Sequence, residues 1–126
     1  MSTLLSVNNL NIEAHTRTGV VQVVKDLSFS IRQGETLGVV GESGCGKTVT
    51  ALSIMKLLPK ETLKISSGNI IFNNKAINNL SDSELEKIRG NEISMIFQEP
   101  MTSLNPLFTV GEQVAEVVRR HKNVSK

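Results

Sequence analysis

The chain has 126 residues, of which 39% are hydrophobic and 21% charged, a composition that can bury a core and excludes a disordered or collagen-like chain. The formal net charge is only +2, and basic and acidic residues are interspersed, so charge does not predict nucleic acid or an anionic membrane as a partner. Aromatic residues make up 3%, with no Tyr and no Trp, which leaves few side chains to stack on a base.

Cysteine content and the N-terminus predict the compartment. The single cysteine, Cys45, cannot form an internal disulfide, which favours a reducing environment. No Arg or Lys precedes Arg17, so the start of the chain lacks the charged region of a signal peptide. No apolar run approaches the roughly 18 residues that cross a bilayer. We therefore expect a soluble cytoplasmic protein that can still dock on a membrane protein.

The first third of the chain is predicted to be rich in β-strand. Apolar and polar residues alternate along this part, and turn-forming residues interrupt it at Thr18-Gly19 and Gln33-Gly34. The predicted strands are residues 4–13, 20–24 and 27–31. Residues 36–40 are apolar without alternation, as in a strand covered on both faces. A glycine-rich loop follows at 41–46, and a helix is predicted from Lys47 to Leu58, where Pro59 stops it.

The rest of the chain alternates short strands with two helices. Strands are predicted at 68–72, 76–77 and 93–97, and an Asn73-Asn74 turn separates the first two. Ser81 and Glu84 have the spacing of a capping box that opens a helix to Arg89. Thr109 and Glu112 repeat that spacing before valines at 110, 114, 117 and 118, which recur at helical intervals.

The segment 41–48, GESGCGKT, fits the phosphate-binding pattern G-x-x-x-x-G-K-[ST] at every fixed position. Several backbone N–H groups must meet phosphate oxygens at once, and a loop rich in glycine can turn its amides inward. Lys47 would supply charge for the β- and γ-phosphates, and the Thr48 hydroxyl would bind Mg²⁺. The expected nucleotide-binding residues are Gly41, Glu42, Ser43, Gly44, Cys45, Gly46, Lys47, Thr48 and Val49. The alternative is a glycine-rich turn that binds no ligand.

The segments 41–59, GESGCGKTVTALSIMKLLP, and 96–114, IFQEPMTSLNPLFTVGEQV, resemble the ATP-binding subunits of ABC transporters, in particular importers of dipeptides, oligopeptides and nickel. The resemblance extends from Leu4 to Lys126. It implies an α/β fold: the P-loop NTPase core of an ABC nucleotide-binding domain with an N-terminal antiparallel β subdomain, truncated before the signature motif. Residues 1–126 would be one partial domain with a β-rich part, the phosphate loop, the Q-loop and the start of a helical subdomain.

The resemblance also implies roles for single residues. Gln98 matches a glutamine that contacts Mg²⁺ and the region of the attacking water, and its place after an apolar strand suggests the carboxyl edge of a sheet, where α/β ligands bind. Residues Glu99 to Val110 match the part that abuts the membrane subunit on the cytoplasmic face of the inner membrane. His15 falls near the place of an aromatic residue that stacks adenine; the alternative is a solvated turn histidine. Val49 stands where a hydroxyl residue is common.

The largest departure from the family is an absence. The signature L-S-G-G-Q, an apolar strand ending in Asp-Glu and a switch histidine do not occur in the sequence, and His121 lies outside any such context. A missing catalytic carboxylate costs a factor of about 10² to 10⁴ in rate. We therefore expect the chain to bind ATP and Mg²⁺, to depend on a second ATP-binding subunit and membrane subunits for transport, and to hydrolyse little ATP alone.

Two other functions stay open at this point. The chain could be a non-catalytic module that docks on a membrane subunit through Glu99 to Val110. It could also be another P-loop enzyme, such as a small-molecule kinase, but the sequence shows neither an acceptor pocket nor a different acidic strand for one. The transported solute cannot be read from these residues.

Overall fold

The computed structural model describes residues 2–125, and these residues form two compact units. The first unit ends at Leu80 and the second begins at Ser81. The first unit contains all four strands and the helix that follows the glycine-rich loop, and the second contains the two later helices. Among residues 2–125, no helix is long and apolar enough to cross a membrane.

The first unit is built on an antiparallel sheet with the order β2-β1-β3-β4. The strands are β1 (Thr3–Thr16), β2 (Gly19–Arg32), β3 (Leu63–Phe72) and β4 (Lys75–Ala76). This confirms the predicted antiparallel β part. Its buried apolar residues lie mostly on β1 and β3, with Val24, Met55 and Ile77 completing the set; they are Leu5, Val7, Leu10, Ile12, Ile70 and Phe72.

Strands 20–24 and 27–31, predicted as separate, are one continuous strand, β2. The predicted break between them is wrong, because bulges in the β1–β2 ladder accommodate the change in the apolar–polar alternation without ending the strand. At these bulges Asn9 and Asp26 have positive φ angles of 47° and 48°. The Asn9 side chain donates to Asp26 at 2.7 Å, and the Asp26 N–H donates to the Asn11 side chain at 3.0 Å. These polar side chains replace ladder hydrogen bonds that the bulges remove.

Gly68 of β3 lies where the backbone of β1 approaches most closely. A Cβ at Gly68 would be 2.4 Å from the carbonyl oxygen of Asn9 and 2.6 Å from the Cα of Leu10, and its φ is +99°. Both the space and the backbone conformation therefore require glycine. The Asn73-Asn74 turn that follows β3 is confirmed, with φ angles of 47° and 62° that suit a two-residue hairpin loop.

Helix α1 (Lys47–Ile54) is four residues shorter than predicted. Lys56 adopts a left-handed φ of 52°, and its N–H donates to the Ser53 carbonyl at 3.0 Å. The Leu57 N–H donates to the Leu52 carbonyl at 2.9 Å, which completes a Schellman ending. The prediction of an end at Leu58 was wrong because this backbone motif, rather than Pro59, ends the helix.

The strands predicted at 36–40 and 93–97 are wrong as well. Neither segment forms a strand, and the second has only an isolated bridge between Ile93 and Arg89. A buried strand needs a neighbour for its N–H and C=O groups, and the rest of residues 2–125 supplies none. The apolar side chains stay uncovered as a result: Val40 is 95% exposed and Ile96 98% exposed.

The second unit confirms both predicted helix starts. Helix α2 (Asp82–Ile88) has Ser81 as N-cap with a complete capping box, in which the Ser81 N–H donates to the Glu84 carboxylate at 2.8 Å. Helix α3 (Val110–His121) has Thr109 as N-cap, whose hydroxyl accepts from the N–H of Glu112 at 3.2 Å. No residue of α3 is buried, so its apolar face is uncovered.

We predict that Gly68→Ala destabilises the first unit more than Gly34→Ala does. Both glycines have positive φ, but a Cβ at Gly34 meets nothing within 4 Å. Gly34→Ala should therefore cost only the left-handed strain of about 1–2 kcal/mol, whereas Gly68→Ala adds a backbone clash and should cost about 3 kcal/mol or more. Urea unfolding followed by circular dichroism measures both, and equal losses would contradict the close β1–β3 approach.

Candidate functional site

The loop 41–46 leads directly into the N-terminus of α1. Gly44 and Gly46 have φ angles of +80° and +94°, and Gly46 is the N-cap of the helix without a side-chain cap. Left-handed backbone at these positions favours glycine. The first amides of α1 have no partner within the helix, and the helix dipole adds positive potential there. The loop therefore has the backbone of an anion-binding turn.

Gly46 also fixes the loop on the sheet. A Cβ there would lie 3.0 Å from the Val24 side chain and 3.2 Å from the carbonyl oxygen of Val23, both on β2. The Gly46 carbonyl accepts hydrogen bonds from the N–H of Thr50 at 2.9 Å and from its hydroxyl at 2.8 Å. Thr50 is buried. The helix start is thus held by β2 on one side and by its own first turn on the other.

The Lys47 ammonium lies over the start of the loop. Its Nζ donates to the carbonyl oxygens of Gly41 at 2.6 Å and Glu42 at 2.7 Å, and it lies 3.5 Å from the Cys45 sulfur. These contacts hold a positive charge beside the free amides of the helix N-terminus. A cation held at a helix N-terminus, where N–H groups lack partners within the helix, fits a polyphosphate better than a single carboxylate.

The backbone of Gly41 lies against the Cys45 thiol, a relation that sequence reasoning missed. Gly41 does not have a positive φ, yet a Cβ there would lie 2.5 Å from the Cys45 sulfur. The thiol therefore fills the space beside Gly41, although Cys45 as a whole is exposed. No one-dimensional signal reveals this contact, because it depends on the path of the loop.

The other predicted loop residues differ in exposure. Thr48 is exposed in the first turn of α1, so its hydroxyl is accessible to a metal bound beside the loop, and Val49 is half-buried. Glu42 and Ser43 are exposed. Among residues 2–125, no group of three or more His, Cys, Asp or Glu side chains could hold a metal ion. A Mg²⁺ ion at Thr48 would therefore take most of its ligands from phosphate oxygens and water, as Mg²⁺ commonly does.

His15 lies near the end of β1, next to the turn that joins β1 to β2, where it pairs with Val20. His15 is three positions after Ile12, so strand alternation puts the two side chains on opposite faces. Ile12 pairs with Val24, whose side chain lies beside Gly46 of the loop. To contact His15, an adenine would thus have to reach past the end of the hairpin to the opposite face. The contact stays a prediction.

Gln98 belongs to the second unit, whereas the loop belongs to the first. Gln98 is exposed at a bend, and the preceding residues 93–97 are not a strand. The prediction that Gln98 lies at the carboxyl edge of a strand was therefore wrong, because residues 93–97 find no strand to pair with among residues 2–125. Its contact with Mg²⁺ stays a prediction.

An open cavity of about 640 Å³ lies beside the loop within the first unit. Cys45, Gly46 and Lys47 line one part of it. Apolar side chains of β2, of the segment 37–40 and of α1 line the rest, among them Phe29 and Ile54. The cavity thus joins a cationic end to an apolar surface between helix and sheet.

The segment Glu99 to Val110 exposes several large apolar side chains in the second unit. Met101 is 92% exposed and Leu107 is 85% exposed, and Leu104 and Phe108 are also exposed. A short 3-10 turn, Pro100–Thr102, lies near its start. Contiguous apolar exposure of this kind is a feature of protein-binding surfaces.

Comparison with known proteins identifies relatives over the whole chain. A family model described as "ABC transporter" matches residues 24–126. The dipeptide transport ATP-binding protein DppD of Bacillus subtilis is 53% identical over 126 residues, which are 100% of this chain and 38% of the relative. The oligopeptide transport ATP-binding protein OppD of Escherichia coli is 52% identical over 98% of this chain and 36% of its own length. The chain thus spans well under half of these relatives.

A solved structure supports the fold. The dimeric structure of MJ0796, a bacterial ABC transporter cassette, matches with a TM-score of 0.82 and 26% identity. The match covers 98% of this chain and 50% of that one. The α/β class with an N-terminal antiparallel sheet, predicted as the front part of such a cassette, is therefore confirmed.

We predict that Gly41 and Cys45 are coupled in a double-mutant cycle. Gly41→Ala should destabilise the first unit because the new methyl group meets the thiol, and the loss should shrink when Cys45→Ala is added, since the Cys45 Cβ is 3.8 Å away. We expect a coupling free energy of about 1 kcal/mol or more. Thermal unfolding of the two single variants and the double variant measures it. Additive losses would contradict the contact.

Proposed function

The chain belongs to the ABC transporter family, and we propose that its loop 41–48 holds the triphosphate of ATP as part of an ATPase subunit that energises solute import. The observation that carries the proposal is the Lys47 ammonium, held 2.6 Å and 2.7 Å from two loop carbonyls beside the amides of α1. Lys47 would meet the β- and γ-phosphates, and residues 44–48 would supply backbone N–H donors.

Mg²⁺ is the second part of the proposed site. The accessible hydroxyl of Thr48 supports a role as its protein ligand from the first unit. Gln98 is proposed as a further contact of the ion, and its exposure at a bend supports this. When bound, the ion would neutralise phosphate charge, while Thr48 would hold it beside the start of α1.

The adenine base of ATP would lie toward the β1–β2 hairpin. Val23 and Val24 of this hairpin contact the loop at Gly46, so the hairpin continues outward from the phosphate site. His15 is an imidazole near its end that could stack on adenine. Val49 would contribute only backbone to the phosphates, because its side chain has no hydroxyl.

The imported solute is proposed to be a peptide or a related compound, and the site of action the cytoplasmic face of the inner membrane. The names of the relatives, a dipeptide and an oligopeptide transport ATP-binding protein, support the solute class. Exposed apolar side chains between Glu99 and Val110 support docking of this segment on membrane subunits. A second ATP-binding subunit would complete each site in the working transporter, which the dimeric relative supports.

Hydrolysis is proposed to need residues outside this sequence. The 126 residues contain no L-S-G-G-Q signature and no apolar strand ending in an acidic pair. Phosphoryl transfer to water needs an oriented nucleophile besides bound phosphate. The chain alone would therefore bind ATP and split it slowly.

A second candidate function is a docking module that acts without nucleotide. The observation that favours it is the apolar exposure of the segment Glu99 to Val110 together with α3, of which no residue is buried. Such a module would bind the membrane subunit equally well when Lys47 is replaced. The first function therefore requires the chain to bind ATP, whereas the second does not.

We predict that Lys47→Ala lowers the affinity for ATP with Mg²⁺ by about tenfold to a hundredfold, the value of a charged hydrogen bond to phosphate. Lys60→Ala is the matched control, because Lys60 is an exposed lysine outside the loop. Isothermal titration calorimetry with a non-hydrolysable ATP analogue measures both. A wild-type chain that binds no nucleotide, while it still docks, would favour the second function instead.

A further inference from the structure

The Gln113 side chain forms a clamp between α3 and the loop before it. Its Oε1 accepts from the backbone N–H of Asn105 at 2.8 Å. Its Nε2 donates to the carbonyl oxygens of Asn105 at 2.9 Å and Phe108 at 3.0 Å. One backbone donor and two backbone acceptors fix the orientation of the amide, since only its oxygen can accept and only its nitrogen can donate. Gln113 is half-buried.

The clamp connects a rigid element with an irregular one. Gln113 lies in the first turn of α3, and its own N–H donates to the carbonyl oxygen of Thr109, the N-cap. Two bonds within the loop add local support: the Leu107 N–H donates to the Asn105 side chain at 3.0 Å, and the Phe108 N–H donates to the Asn105 carbonyl at 3.3 Å. The clamp connects this locally bonded loop to the helix.

The clamped loop carries side chains that the fold leaves uncovered. Leu104, Leu107 and Phe108 are 49%, 85% and 59% exposed. Leu107 and Phe108 lie within the clamped loop and Leu104 directly precedes it, while the loop backbone at Asn105 and Phe108 is hydrogen-bonded to Gln113 of α3. If the loop is already ordered before association, less conformational entropy is lost on binding, and binding is more favourable.

We propose that Gln113 is a positioning residue that pre-orders residues 105–108 for docking on the membrane subunit. The inference rests on the docking part of the proposed function and adds the residue that sets the shape of the docking surface. The role requires an amide: a carboxylate keeps the acceptor but loses both donors, and a thioether of similar length loses all three contacts. The three amide contacts of Gln113 all lie within the second unit, whereas the loop 41–48 belongs to the first, so the affinity for ATP is measured as an independent quantity.

The test compares the full chain with the variants Gln113→Met, Gln113→Glu and Glu116→Met. Glu116 is an exposed residue of the same helix, so its replacement controls for changes to α3 that spare the clamp. Three quantities are measured: amide hydrogen exchange at Asn105, affinity for ATP with Mg²⁺, and the fraction bound to inside-out vesicles that contain the membrane subunits of an oligopeptide importer.

For Gln113→Met we expect exchange at Asn105 to rise about tenfold and vesicle binding to fall about fivefold or more, with ATP affinity within about twofold of wild type. Gln113→Glu should bind vesicles at an intermediate level, and Glu116→Met should match wild type. Equal vesicle binding by all variants would overturn the role of Gln113 and leave docking intact. A wild type that binds ATP but not vesicles would overturn both docking and this inference. If Gln113→Met does not fold, Gln113→Glu gives the same decision.

Discussion

The contact between Gly46 and β2 is the constraint on which the proposed site depends. Gly46 must have a left-handed φ to begin α1, and it must lack a side chain because Val24 and the Val23 carbonyl lie where a Cβ would be. This contact puts the positive end of the helix beside the sheet and leaves Lys47 close enough to return to the carbonyls of Gly41 and Glu42. The backbone features that suit the loop to an anion therefore follow from how the helix start is packed.

The features that could be predicted from the sequence are those that nearby residues determine. The glycine pattern of the loop, the N-caps at Ser81 and Thr109 and the Asn73-Asn74 turn all depend on backbone preferences within a few positions, and each is present. The strands at 36–40 and 93–97 depend instead on partners distant in sequence. Their apolar pattern is real, but a pattern supplies no hydrogen-bonding neighbour, so residues such as Val40 stay exposed.

Side-chain and backbone contacts along irregular segments could not be predicted from the sequence either. The helix ends where Lys56 turns left-handed, although Lys56 is not a residue type that usually marks such a position. The Cys45 thiol beside Gly41 and the clamp by Gln113 join residues four and eight positions apart along irregular backbone, where no periodicity applies. Sequence reasoning thus predicted the loop 41–48 and the segment Glu99 to Val110 as candidate sites, whereas the structure supplied the contacts that shape them.

The central claim, that the loop amides and Lys47 receive a triphosphate, is tested most directly by nuclear magnetic resonance of the ¹⁵N-labelled chain titrated with ATP and Mg²⁺. We expect the largest shifts at the amides of Gly44, Gly46 and Thr48, because these donors lie in the loop and the first turn of α1. Shifts confined to the basic last turn of α3, at Arg119 and Arg120, would instead indicate non-specific attraction of an anion. That result, or no shift at all, would contradict the account.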